Sequence, residues 1–300
     1  MADLTVGSLC SGILGLDLAV ERHYGAELAW CAEINPAASR VIAARTDVTN
    51  YGDFRDVTPP AVDILCAGFP CQPVSAAGKR AGIDDERWLF DDICDLLGRL
   101  DPPPRLLVFE NVRGLLTANG GDAMARVVEG LARCGYVGSW RTVRASDVGA
   151  PHRRERVFIV AVPDSLCGGH ASLSSSSSST DSTRKPGGPA DRGGTVADAD
   201  DVGRERDRDS WHGGIGSTDD RFGPYGAAVE RWASVIGRPA PLPTDSRQRL
   251  APRFVEWMMG YPEGWATDVL SNRSDALRCL GNAVVPQQAA LALSLLDEVR

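Results

Sequence analysis

The chain has 300 residues, 43% of them hydrophobic, enough for one large domain or for a core domain with a smaller companion. Its formal net charge of −8 argues against tight non-specific binding to nucleic acid, although a local basic cleft can coexist with an acidic remainder. No apolar run reaches the roughly 18 residues that span a bilayer, and Met1-Ala2-Asp3 opens no signal peptide, so a cytoplasmic protein with no membrane partner is expected.

Residues 4–9 read as a buried strand and 14–23 as a helix. Residues 27–34 form the next strand, followed by a helix over 36–45 with Pro36 in its first turn. Further strands are expected at 62–67 and 105–109, with a helix over 89–100 between them. Residues 124–134 make another helix and 156–162 another strand. This alternation predicts an α/β fold: a doubly wound, Rossmann-like parallel sheet with helices on both faces.

After Val162 the texture changes. Residues 174–179 are an unbroken serine run, and Gly, Asp, Arg and Pro dominate from about 171 to 223. Such a stretch cannot bury enough apolar surface to form its own core. Patterned sequence returns as an amphipathic helix over 225–236 that carries Trp232, followed by segments at 253–265 and 277–296. The last reads as one long helix entered through Gly281-Asn282.

Several conspicuous residues have plain explanations. Of the eight cysteines, Cys31 and Cys66 lie in apolar runs, where a free thiol acts as a small hydrophobe. Cys167-Gly-Gly-His170 has the spacing of half a metal site but no second pair nearby, so no metal is expected. The seven tryptophans are expected to pack in cores, and the mixed-charge run at 204–209 to be a solvated surface. Basic residues cluster at Lys79-Arg80, at 153–156 and around 247–253.

Two constellations carry chemistry. The first strand runs into Cys10-Ser11-Gly12-Ile13-Leu14-Gly15, a turn that lets backbone approach a ligand, with a helix N-terminus behind it. Glu33 ends the second strand about 20 residues on, where acidic residues commonly bond ribose hydroxyls. The second constellation is Gly68-Phe69-Pro70-Cys71-Gln72, leaving the carboxyl end of a strand, with Glu110-Asn111 leaving the next. A thiol and a carboxylate on neighbouring strand ends make a nucleophile and acid/base pair; the alternative is a buried structural thiol.

The segments 68–72, Glu110-Asn111-Val112, Arg153-Arg154-Glu155-Arg156 and 281–286 (Gly-Asn-Ala-Val-Val-Pro) occur in the order of the DNA cytosine-5 methyltransferase family, which the chain resembles over nearly its whole length. The stretch Val-Gly-Ala-Pro-His at 148–152 and Met-Gly-Tyr-Pro at 259–262 add to the likeness.

The resemblance implies transfer of a methyl group from S-adenosylmethionine to carbon 5 of a flipped-out cytosine in a specific duplex DNA sequence. It implies a catalytic domain from residues 1–163 plus 277–300 and a target-recognition domain from 164–276. Cys71 would be the nucleophile and Glu110 would act at ring nitrogen 3, while Arg154 and Arg156 would hold the base carbonyl and the flanking phosphate. The donor would be held by Cys10, Ser11, Gly12, Gly15, Glu33, Ile34, Asp53, Phe54, Pro70, Asn282, Ala283 and Val284. The flipped base would meet Phe69, Gln72, Ser75, Gly78, Asn111 and Val112, beneath a lid over 75–87 hinged at Gly78 and Gly82.

Two positions depart from the family pattern. Cys10 stands where phenylalanine is usual and Leu14 where a second glycine is common, which predicts weaker donor binding or a pocket reshaped for a modified donor. RNA as acceptor and a catalytically silent DNA-binding regulator are the other readings. Double-stranded DNA is the expected partner. A cognate restriction endonuclease, a monomeric state and a bacterial or phage-encoded cytoplasmic location complete the expectation.

Overall fold

The structure is a computed structural model that describes residues 4–70, 88–166 and 221–298. The expected nucleophile Cys71, with Gln72, Ser75, Gly78, the expected lid, Lys79-Arg80, Cys167, His170, the serine run and the 204–209 charge run, lies outside the described residues.

In the first half, strand and helix alternate as the apolar pattern predicts. The elements are β1 (Leu4–Leu9), α1 (Gly15–Tyr24), β2 (Ala26–Ala32), α2 (Pro36–Arg45), β3 (Thr49–Asn50), β4 (Ile64–Ala67), α3 (Phe90–Leu97) and β5 (Leu106–Val112). Then come α4 (Asp122–Arg133), β6 (Tyr136–Arg144) and β7 (Glu155–Pro163), and finally α5 (Gly226–Ile236), α6 (Pro252–Met258), α7 (Arg273–Asn282) and α8 (Pro286–Asp297). Among the described residues the strands form one seven-stranded sheet in the order β3-β2-β1-β4-β5-β7-β6.

Side chains on the central strands alternate between two cores, as a pleated strand requires. Leu65, Ala67, Leu107 and Phe109 face Phe90, Ile93, Leu96, Val127 and Leu131 of α3 and α4. Ile64, Cys66, Leu106 and Val108 face Leu16 and Val20 of α1 and Leu293 and Leu296 of α8. Cys31 and Cys66 are fully buried small hydrophobes, and Trp30, Trp88, Trp232 and Trp257 are core side chains. Trp140, on edge strand β6, is exposed.

The expectation of a parallel sheet holds for β1 to β5 and needs correction beyond them. β7 pairs antiparallel with both β5 and β6. The cause is the link between β6 and β7, residues 145–154, which is too short for a crossover of a dozen or more residues. The chain therefore turns back into the slot between β5 and β6. β6 itself is absent from the sequence-based expectation because six of its nine residues are solvent-exposed and leave no apolar period.

The long helix expected over 277–296 is two helices. Pro286 has no backbone N–H and excludes helical backbone at the preceding residue, so Val285 adopts φ −80° and ψ 112° and α8 restarts with Pro286. Taken together, residues 273–297 are long and apolar enough to cross a membrane, with a mean hydropathy of 1.3 in the best window, yet 56% of that window is buried inside the protein.

The described C-terminal region shares a third core with the N-terminal half. Trp232, Trp257, Tyr261 and Leu280 pack with Ile13 of the first turn and with Ala37, Ala38 and Val41 of α2. Glu256 is buried in this region and accepts hydrogen bonds from the backbone N–H groups of Gly264, Ala266 and Thr267 and from the Thr267 hydroxyl, at 2.7–2.9 Å. That single carboxylate fixes the loop after α6.

Beneath the first turn, α1 carries the buried Asp17. Its Oδ1 accepts from Cys66 Sγ at 3.6 Å, and its Oδ2 has no partner among the described residues. Burial pushes its pKa up to about 6. Between about pH 4 and pH 6 the folded chain therefore holds a proton that the unfolded chain has released, so this group makes stability fall as pH rises through that window. Asp17→Asn is expected to remove this component and to be more stable than wild type by about 2–3 kcal/mol at pH 7, the difference vanishing below pH 4. Urea denaturation across that pH range measures it.

Candidate active site

Strand order reverses direction between β1 and β4, so the chain leaves these two neighbours toward opposite sides of the sheet. At such a switch point the loops diverge and open a crevice beyond the carboxyl ends of the strands. Residues 10–15 leave β1 there, Glu33 leaves β2, Gly68-Phe69-Pro70 leaves β4, and Glu110-Asn111 closes β5.

The turn after β1 is built from left-handed backbone. Cys10, Gly12 and Leu14 have φ of 50°, 56° and 69°. Only Gly12 adopts this freely; the other two are held by their surroundings, each against a penalty of about 1–2 kcal/mol. At Gly12 a Cβ would meet nothing within 4 Å, so the crevice is open above its backbone. At Gly15 a Cβ would lie 2.1 Å from the Tyr261 hydroxyl and 2.4 Å from the Val284 carbonyl, so only glycine fits.

Glu33 lies one residue beyond β2. Its Oε2 accepts from Gly12 N at 2.7 Å and its Oε1 from Asn35 N at 2.7 Å, which ties the first and second strand ends together. Asn50 holds Glu33 in turn: its Oδ1 accepts from Glu33 N at 2.9 Å and from Gly52 N at 3.0 Å, and its Nδ2 donates to Glu33 O at 3.1 Å. No sequence signal marked Asn50, because its partners come from another strand end. Ile34, next to Glu33, is 70% exposed, an apolar surface at the crevice. Asp53 caps a short turn and accepts from the Arg55 guanidinium, which holds its pKa below the usual carboxylate range. Phe54 is buried in the core.

Glu110 is buried at the end of β5, and the Arg156 guanidinium bonds its Oε1 at 2.9 Å from the adjacent β7. Burial raises the Glu110 pKa, partly offset by the positive charges of Arg156 and Arg154. Gly68 borders this carboxylate, a Cβ there lying 3.7 Å from Glu110 Oε2. Asn111 Nδ2 donates to Phe69 O at 3.1 Å, binding the β5 end to the loop that Cys71 continues. Phe69 is buried, in ring contact with Trp88, Phe90 and Phe109.

Arg154 is placed differently. Its guanidinium donates to Gly281 O at 2.9 Å and Ala283 O at 2.6 Å, joining the end of α7 to the strand before it. Burial, with the nearby Arg156 charge, lowers its pKa to about 10. Gln288 Nε2 fixes the Arg154 backbone, donating to Arg154 O at 2.8 Å and to Val143 O at 2.7 Å. Ala283 and Val284 are buried beside Gly15, whereas Asn282 is exposed.

The departures noted in the sequence take a definite form. Leu14 is 2% exposed and packs with Cys31 and Ile42, so its bulk enters the core and not the crevice. Cys10 is half-buried, and burial together with Glu33 and Asp53 pushes its thiol up to about 12, so it stays neutral. The basic cluster around 247–253 is largely balanced by acids: Arg249 pairs with Asp245, and Arg253 with Asp268 and Glu263.

Comparisons with known proteins give a family and a fold. A family model described as C-5 cytosine-specific DNA methylase matches residues 4–201, more than half of the chain. The chain is similar to the type II methyltransferase M.NgoBI of Neisseria gonorrhoeae, 38% identical over 162 residues that make up 53% of this chain and 50% of that protein. It is also similar to the type II methyltransferase M.NaeI of Lentzea aerocolonigenes, 37% identical over 172 residues, 54% of this chain and 40% of that one. The chain spans about half the length of the curated relatives it matches. Among solved structures it resembles the S. pombe Dnmt2 methyltransferase, with a TM-score of 0.58 at 18% identity and 99% of each chain covered. The Entamoeba histolytica methyltransferase EhMeth gives 0.61 at 14%, covering 100% of each. These two show a shared fold.

The buried pair yields a stability test. Arg156→Ala leaves the Glu110 carboxylate in the sheet without its counter-ion and is expected to lower stability at pH 8 by about 2–4 kcal/mol. Glu110→Gln keeps an acceptor oxygen for Arg156 but removes its counter-charge, and is expected to cost less than Arg156→Ala, about 1–2 kcal/mol. Chemical denaturation of the two variants at pH 8 checks both.

Proposed function

The chain belongs to the C-5 cytosine-specific DNA methylase family, and from that premise we propose that it methylates carbon 5 of cytosine in duplex DNA, using S-adenosylmethionine as the donor. The observation that carries this reading is the buried Glu110–Arg156 pair at the end of β5, bonded through Asn111 to the loop that leads into Cys71.

The residues at the β1, β2 and β4 ends fit the donor. Gly12 offers open backbone, Glu33 is a carboxylate of suitable reach for ribose hydroxyls, and Ile34 presents exposed apolar surface. Ser11, Gly12 and Gly15 would hold one side, Glu33, Ile34, Asp53 and Phe54 the nucleoside, and Cys10, Pro70, Asn282, Ala283 and Val284 the remainder. When bound, S-adenosylmethionine supplies an electrophilic methyl group.

Carbon 5 of cytosine is too weak a nucleophile to attack such a methyl directly. The Cys71 thiolate adds to carbon 6, and its sulfur–carbon bond turns the ring into an enamine with a nucleophilic carbon 5. Glu110, with its raised pKa, gives or shares a proton at ring nitrogen 3 as that adduct forms. Arg156 sits on the Glu110 carboxylate and keeps it oriented. Once carbon 5 carries the methyl, loss of its proton to a base expels the Cys71 sulfur, the nitrogen 3 proton returns to Glu110 and the aromatic ring is restored. Because a stacked duplex hides carbon 6, the base is flipped out, and Phe69, Gln72, Ser75, Gly78, Asn111 and Val112 surround it in this reading.

Arg154 has a narrower role than a direct base contact. Its bonds to Gly281 O and Ala283 O favour a brace between the catalytic strands and the 281–286 segment. Within this reading residues 164–276 recognise the target sequence while 1–163 and 277–300 carry the chemistry. The chain acts as a monomer in a bacterial or phage-infected cytoplasm, alongside a restriction endonuclease of the same specificity. The burial of Leu14 in the core favours the ordinary donor over a modified one.

The test is nucleoside mass spectrometry of unmethylated duplex DNA incubated with S-adenosylmethionine. Wild type is expected to yield 5-methylcytosine, Cys71→Ala none, and Glu110→Gln a rate lower by about 10²- to 10⁴-fold. Product from Cys71→Ala would remove the covalent step, and no product from wild type on any duplex would remove the activity.

A further inference from the structure

The turn that opens the crevice is braced by a segment distant in sequence. Trp265 Nε1–H donates to the Ile13 carbonyl at 2.9 Å, and its ring packs against the cluster that buries Leu14 with Cys31 and Ile42. The Tyr261 hydroxyl donates to the Val284 carbonyl at 2.9 Å and sits where a Gly15 Cβ would be. Trp265 is locked in turn. Arg45 of α2 donates to the Trp265 carbonyl at 2.9 Å and to the Gly264 carbonyl, with its guanidinium 5.5 Å from the centre of the Trp265 ring. The buried Glu256 carboxylate grips the N–H groups of Gly264 and Ala266 on either side.

This bracing answers a problem that the turn sets. Leu14 and Cys10 hold left-handed backbone that side-chain-bearing residues disfavour, and Leu14 has no side-chain cap for α1. Local sequence would let the turn relax. The Trp265 hydrogen bond and the packing on Leu14 act on the residues between Gly12 and Gly15.

We propose that Trp265, assisted by Tyr261, is a positioning residue for the methyl donor: it holds Ile13 and Leu14 so that the Ser11-Gly12 backbone stays in its binding shape, and the 261–265 segment thereby sets donor affinity. The inference rests on the reading that this turn binds S-adenosylmethionine. It makes the C-terminal region part of donor binding without any contact to the donor.

The experiment compares the full chain with Trp265→Phe, Tyr261→Phe and Tyr136→Phe. Phenylalanine at 265 keeps a ring and loses the N–H, and at 261 only a hydroxyl is lost. Tyr136→Phe is the control, since it loses a buried side-chain bond to a backbone carbonyl, Pro104 O at 2.7 Å, in a core that holds none of residues 11–15. Two quantities are read: hydrogen exchange of residues 11–15 in the free protein, and the Kd for S-adenosylmethionine by calorimetry. Trp265→Phe is expected to speed exchange there and to raise Kd by about 5- to 10-fold each, the factor carried by one hydrogen bond. Tyr261→Phe should change both in the same direction, and Tyr136→Phe should lower thermal stability while changing neither. Unchanged exchange in Trp265→Phe, faster exchange with unchanged Kd, or equal effects of Tyr136→Phe would overturn the proposal. If wild type binds no S-adenosylmethionine, the functional reading falls, and the exchange comparison alone still decides whether Trp265 holds the turn.

Discussion

Everything at the crevice depends on the parallel pairing of β1 with β4, because that pairing is where the sheet reverses its winding. Parallel strands must all end on the same side, so the chain leaves β1, β2, β4 and β5 at one edge. The reversal then sends the β1 and β4 connections apart, leaving their first residues uncovered. A glycine turn, a carboxylate, a loop and a second carboxylate from four separate stretches are gathered without any of them being near another in sequence.

The same sheet sets the electrostatics. Glu110 is charged by composition but core by position, since it pairs with Phe158 of β7 on one side and borders Gly68, just beyond β4, on the other. Burial raises its pKa, and Arg156 on the antiparallel neighbour offsets part of that rise. Reversing β7 is therefore more than an irregularity of the sheet edge: the register that pairs Val112 with Arg156 brings the arginine to the carboxylate.

A second dependence runs through the C-terminal region. Trp257, Tyr261 and Trp265 enter cores shared with α1 and α2, and Glu256 organises the loop that carries the latter two. The described C-terminal residues thus bury their apolar side chains against surface that the N-terminal half offers. Arg154 closes the arrangement from the other side, tying β7 to the break between α7 and α8.

By itself the sequence determined the alternation of elements, the two faces of each central strand, and the positions of Cys10 to Gly15, Glu33, Glu110 and the 153–156 arginines at strand ends. These follow from periodicity and from short motifs, which are local properties and are written in adjacent residues. The break at Val285 is written locally too, in Pro286, although the apolar pattern runs across it. Tertiary structure decided the clamp of Asn50 on Glu33, the pairing of Arg156 with Glu110 and the diversion of Arg154 to backbone carbonyls. It also sent Leu14 into the core, where a reading of the turn alone would place its bulk beside the ligand. In each of these the deciding force is burial against, or hydrogen bonding to, a group 17 to 129 residues away. No spacing along the chain encodes which of those groups will meet.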